Sequence, residues 1–289
     1  MSLAPRVVLV HRRTELDELL ARHGTRGQAE FFLRTRGRDL AEVTEADAAV
    51  RAALATASAA IPLDWRRGEV ERADLDRFLF GPEDVVVVVG QDGLIANVAK
   101  YLDGQPVVGV APGSPGVLVR HPPAAVADLV RSTGDVEHRT MAELTADDGQ
   151  RLLALNEIYL GHAGHQTARY RLGVGGVPAE RQASSGILVG TGTGATGWCG
   201  SVWRERGSGL RLPAPGESRL VWFVREAWPS PTTSTAHTEG ELTSAPLTVE
   251  VESDRLVAFG DGLEADKVAL TRGQTATFVP AARTVRLVR

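Results

Sequence analysis

The stretch "VVVVVGQDGLIANVAK", residues 85–100, runs five consecutive valines into a turn of Gly90, Gln91, Asp92 and Gly93 and then into a helix-like segment. β-Branched side chains favour extended backbone, and an apolar run without polar alternation fits a strand buried on both faces of a parallel sheet. Leu94 to Leu102 is expected as the helix, and "PVVGVAP" at 106–112 as the next strand, which completes a β-α-β unit. Upstream, "RVVLVH" at 6–11 reads as another buried strand. Thr14 then caps a helix with Leu16, Leu19 and Leu20 on one face that stops near Gly24. "TEADAAVRAALATAS", from Thr44, is expected as a second helix with Thr44 and Asp47 as its capping pair, and "LDRFLF" as a further one after an arginine-rich link.

Beyond about residue 134 the texture changes. Helical patterns become scarce, and "VEHRTMAEL", "QTARYRLGV", "GILVG", "RLVWFV", "LTVEVE" and "RLVAFG" form short strand candidates separated by turn residues. The expectation is an α/β amino-terminal domain, 1–133, carrying the GQDG turn, and a β-rich, sandwich-like carboxy-terminal domain, 134–289. The last strand or strands are candidates to pack back on the first domain. The polar segment "REAWPSPTTSTAHTEGELTSAP" is expected as a surface loop or flap.

With 289 residues, 43% of them hydrophobic, the chain can bury a core in each of two domains. Its formal charge of -4 gives no general attraction to nucleic acid. The five valines fall far short of the ~18 apolar residues of a membrane span, and the amino terminus lacks a charged-then-apolar signal pattern, so no membrane partner and a cytoplasmic location are expected. Cys199 is the single cysteine, which excludes an intrachain disulfide and a cysteine-based zinc cluster. Its expected role is packing.

Three polar clusters carry the chemistry. A glycine-bearing turn between strand and helix presents unpaired N–H groups and a positive dipole, a seat for phosphate. Asp92 would repel phosphate, yet it fits a proton acceptor or magnesium-associated group beside it; the alternative is an ordinary helix cap in an Asp-Gly turn. No G-x-x-x-x-G-K-[ST] is present, and no G-x-G-x-x-G follows a strand. In "LLALNEIYLGHAG", Asn156 and Glu157 are placed at the end of an apolar strand, able to bond ribose hydroxyls. The loop "TGTGATGW", 191–198, follows another strand, and its small side chains let backbone approach a flat or anionic ligand. His162 and His165 have metal-ligand spacing but no third partner, and His237 lies in the polar loop; neither is assigned a metal, and no metal-ligating residue is assigned elsewhere.

In order and context these clusters resemble the NAD kinase family, whose pattern is GGDGT after a strand, then NE, then TPTGSTAY with a later Ser, and a DG pair near the end. Here those positions read GQDGL, NE, TGTGATGW with Ser201, and Asp261-Gly262. The resemblance implies phosphoryl transfer from ATP or polyphosphate, with Mg2+, to the 2'-hydroxyl of the NAD adenosine ribose. It implies Asp92 as the base, Gly90, Gln91 and Gly93 at the donor phosphates, and Asn156, Glu157, Thr191, Thr193, Thr196, Gly197, Trp198 and Ser201 at the dinucleotide. It also implies a site between the domains and a homo-oligomer, a dimer or tetramer. Gln91, Leu94, Ser185, Gly192, Ala195 and Gly197 depart from the family pattern. These departures keep two alternatives open: a kinase of a sugar, nucleoside or lipid hydroxyl, and a non-catalytic dinucleotide-binding protein.

Overall fold

A computed structural model describes residues 5–164 and 166–289; His165, one half of the histidine pair, lies outside the described residues. The chain divides into two units, Met1–Glu137 with Arg286–Arg289, and His138–Val285.

In the first unit the chain order is β1 (Arg6–His11), α1 (Glu15–His23), α2 (Arg26–Arg34), α3 (Leu40–Ala60), β2 (Arg66–Glu71), β3 (Asp84–Val89), α4 (Asp92–Ala99), β4 (Pro106–Val110) and the short α5 (Val126–Leu129). The strands are parallel in the order β2-β1-β3-β4, and Arg286 and Leu287 pair with Pro106 and Val107 at the outer side of β4. All six residues of β3 are buried, as a strand covered on both faces requires. On one face Val85, Val87 and Val89 pack with Ala53, Ala57 and Ile61 of the α3 segment and with Val126. Strand order reverses between β1 and β3, and in open α/β sheets such a reversal leaves a crevice at the carboxyl ends of the strands. The Gly90–Gly93 turn follows the carboxyl end of β3.

Local chemistry explains the helices. Thr14 caps α1 and the helix stops at Gly24, as expected, and Asp17 adds the return bond that makes the cap a capping box. α3, however, begins at Leu40 with Asp39 as its cap, so Thr44 is inside the helix and donates back to the Leu40 carbonyl at 2.9 Å. Asp47, expected as a capping partner, instead accepts from Thr14 at 2.6 Å and from Arg51, tying α3 to the start of α1. "LDRFLF" contributes to a 3-10 turn, Arg72–Arg77, rather than to an α-helix.

The second unit contains β5 (Val136–Ala146), which starts at the unit boundary, β6 (Arg151–Ala154), β7 (Glu157–Gly161), β8 (Ala168–Val174), β9 (Glu180–Ser184), β10 (Gly186–Gly190), α6 (Trp198–Arg206), β11 (Leu220–Arg225), β12 (Glu239–Leu242), β13 (Leu247–Val251), β14 (Arg255–Gly260), β15 (Val268–Thr271) and β16 (Thr275–Val288). β16 is the strand that carries the chain out of this unit. One sheet has the order β16-β13-β8-β9, with β5 paired to β16 and β6; the other has the order β12-β11-β10-β7-β14-β15. Alternate residues of both, among them Tyr170, Leu172, Ile187, Val189, Trp222, Val249 and Phe278, share one buried core, the period-two signature of facing sheets. On the outer face of the second sheet, Tyr159, Leu188, Val221 and Phe223 pack with Cys199 and with Trp198, Val202 and Trp203 of α6. That helix positions Trp198.

Among the described residues no helix is long and apolar enough to cross a membrane.

Candidate functional site

In the first unit the turn after β3 leads straight into α4. Gln91 is the helix cap, in extended backbone and without a side-chain capping bond, and Asp92 is the first helical residue. The half-buried Asp92 carboxylate faces the backbone of a distant loop. Oδ2 accepts from the N–H of Val117 at 2.8 Å, and Oδ1 from those of Leu118 and Val119 at 2.8 and 2.9 Å. Three fixed donors leave one of a carboxylate's roughly four acceptor positions open. Leu94 is buried, and its side chain lies over the turn: a methyl added at Gly90 would sit 3.0 Å from Leu94 Cδ2.

In the second unit Asn156 lies in the bend between β6 and β7, and Glu157 opens β7, so the pair spans two strands and not the end of one. Three segments hold this bend. Asp261 Oδ1 accepts from the N–H of Asn156 at 2.7 Å, and Oδ2 from that of Leu155 at 2.9 Å. From the loop after β10, Thr191 donates its hydroxyl to the Leu155 carbonyl at 2.5 Å and its N–H to the Asn156 carbonyl at 2.9 Å. The same hydroxyl accepts from the N–H of Thr193 and Gly194 at 3.0 and 3.2 Å.

Thr191 and Thr193 are therefore buried braces, Thr193 also accepting from Arg139 at 3.3 Å. Their hydroxyls shape the loop. Thr196, Gly197 and Ser201 are exposed at the start of α6, and half-buried Trp198 stacks on Tyr159 with ring centroids 5.8 Å apart, the Arg225 guanidinium 5.2 Å from its face. Ser185 meets Tyr159 through its backbone, its carbonyl accepting the phenol at 2.8 Å.

The small residues of the third loop reflect close packing. A methyl at Gly192 would strike the Ala214 carbonyl, and one at Gly194 the Asn156 carbonyl, with Glu157 Oε2 at 3.1 Å. Gly194→Ala is expected to lower stability by about 1–3 kcal/mol, the usual cost of overpacking a fixed contact. Urea unfolding of the variant checks it.

Glu157 is the electrostatic outlier. Burial, and then the charge of Asp261, push its carboxyl from the usual 4.5 up to about 7. Burial and then Glu157 push the Cys199 thiol up to about 12, which leaves it a packing group and a poor nucleophile. His237 sits in the polar segment after β11; its backbone N–H and that of Ala236 bond Glu180 at 2.9 and 2.8 Å. Sequence reading gave Asp261 no role and did not foresee the grip of Asp92 on residues 117–119. The Asp-Gly dipeptide at 261–262 was the available signal for the first; the second has none in the local sequence.

The first unit is a parallel α/β sheet with a glycine-bearing turn at its strand ends, and the second is a sandwich with a held Asn-Glu bend. In these parts the chain is similar to NAD kinases. A curated NAD kinase of Psychrobacter arcticus is 32% identical over 144 residues, 45% of this chain and 44% of the relative; one of Methanoregula boonei is 33% identical over 124 residues, 41% and 46%. The aligned part thus spans about half the length of the curated relatives it matches. The crystal structure of an NAD kinase from Archaeoglobus fulgidus in complex with ATP superimposes with a TM-score of 0.60 at 18% identity, over 98% of this chain and 93% of that one, which shows the fold. No family model matches the chain.

Proposed function

We propose that the chain is a phosphotransferase of the NAD kinase kind, moving the terminal phosphoryl group of ATP or polyphosphate to the 2'-hydroxyl of the NAD adenosine ribose. The observation that carries this reading is the Asn156–Glu157 bend. Its backbone is held by Asp261 and Thr191, while among the described residues neither the Asn156 amide nor the Glu157 carboxylate hydrogen-bonds another group. Two polar side chains fixed at the root and open at the tip are what a bound ribose requires.

In the mechanism, donor phosphates sit at the Gly90–Gly93 turn, against the amino terminus of α4. Asp92, oriented by its three N–H donors, takes the hydroxyl proton on its remaining acceptor position. The new bond forms between the ribose oxygen and phosphorus as the bond to the donor's bridging oxygen breaks in line. Asn156 and Glu157 hold the acceptor, and Trp198 offers a face to adenine. Magnesium would enter with the donor, as its phosphate complex. Bound so, it neutralises phosphate charge.

Leu94 favours a second reading. An apolar side chain over the turn, where the family has threonine, suits a protein that binds the dinucleotide without using a donor. The purified chain, supplied with Mg2+, NAD and either ATP or polyphosphate, separates the two. NADP formation that falls about a hundredfold or more in Asp92→Asn supports the kinase, since a positioned base contributes that much. Saturable NAD binding without turnover on either donor supports the binding protein.

A further inference from the structure

We propose that Asp261 is a positioning residue for Asn156 and Glu157, its carboxylate holding the backbone of the bend that carries both side chains. This rests on the reading of that pair as the acceptor-binding groups.

The geometry begins with register. β14 pairs with β7 so that Gly260 faces Ile158, which sets Asp261 beside the entry to β7. Asp261 takes a left-handed backbone, φ 54°, which aspartate tolerates better than most side chains and which turns its carboxylate onto the bend. Besides the bonds to Leu155 and Asn156, Oδ1 lies 3.4 Å from the Glu157 nitrogen, and the Asp261 N–H donates to the Glu157 carbonyl at 3.1 Å. One side chain thus reaches three successive amides, and the loop of Thr191 and Gly194 closes the other side of the bend. A side chain rooted in a fixed backbone has less freedom to lose when it binds a ligand.

An acid placed there also acts electrostatically. Of the titratable groups coupled to Glu157, Asp261 opposes its ionisation and Cys199 stays a neutral thiol. A purely architectural brace would leave the pH dependence of acceptor binding unchanged when replaced by a neutral residue. Asp261 should not.

The test uses the full chain with Asp261→Asn, and with Asp261→Gly as the variant that keeps the left-handed turn at least strain. Three quantities are read: amide hydrogen exchange at residues 155–157, NAD affinity as a function of pH, and KM against kcat. Both variants should exchange those amides about tenfold faster, as expected when a charged acceptor is lost, and raise KM about tenfold with a smaller change in kcat. The pH midpoint of NAD binding should move to lower pH. Unchanged exchange and an unchanged midpoint in a folded variant would overturn the role. Faster exchange in a protein whose wild type never binds NAD would instead overturn the acceptor reading, and with it the claim that this positioning serves a substrate.

Discussion

Replacing Asp92 with alanine is expected to destabilise the first unit by about 3 kcal/mol, because the amides of Leu118 and Val119, both buried residues, lose their acceptor. The third donor, on exposed Val117, can turn to water and adds little. Asparagine at the same position keeps one carbonyl oxygen for the loop and should cost only about 1 kcal/mol. Turnover should respond differently. Neither alanine nor asparagine can take a proton, so both should lower it about a hundredfold or more. Urea unfolding and NADP formation, measured on both variants, therefore separate the carboxylate's grip on residues 117–119 from its chemistry. Equal stability of Asp92→Ala and wild type would contradict the grip, and full activity of Asp92→Asn would contradict the chemistry.

The second large effect concerns Glu157. Its folded-state carboxyl titrates at about 7, above the 4.5 of an unfolded chain, so between these values the folded protein holds a proton that the unfolded chain has released. Stability then falls as pH rises through that window, and above it the ionised carboxylate costs roughly 3 kcal/mol. Glu157→Gln removes that cost. The variant should match wild type near pH 4.5 and exceed it by roughly 3 kcal/mol at pH 8, with Asp261 untouched. Denaturant unfolding at the two pH values reads this difference. In wild type the same proton should leave when a donor from the ligand bonds the carboxylate, because charge-assisted hydrogen bonding favours the ionised form.

Much of the architecture was legible in the sequence because it follows from side-chain pattern. The valine run, the cap at Thr14 and the strands Gly186–Gly190 and Arg255–Gly260 stand where alternation, burial and turn residues put them. Elements held by context were not legible. β2, "RRGEVE", has one fully buried residue and is a strand because it adds to the free side of β1. α2 has only Ala29 and Leu33 buried, and α6 follows a loop whose glycines mask its start. The start of α3 was misplaced because Thr44 and Asp47 imitate a cap, while Asp39 supplies it.

Within the candidate site, residue types were readable and their partners were not. The NE pair, the GQDG turn and the glycine-threonine loop are visible as motifs. That Thr191 braces the bend, that Gly192 and Gly194 make room for carbonyls, and that Asp92 and Asp261 each hold three distant amides depend on segments from 22 to 106 residues away. No local spacing records such contacts.

The most direct measurement of the central claim is identification of the product by phosphorus NMR after incubating the purified chain with NAD, Mg2+ and each donor in turn. The expected result is a new monoester resonance on the adenosine 2'-oxygen, present with wild type and lost with Asp92→Asn. A phosphorylated product at any other position, or NAD recovered unchanged with both donors, would contradict the account.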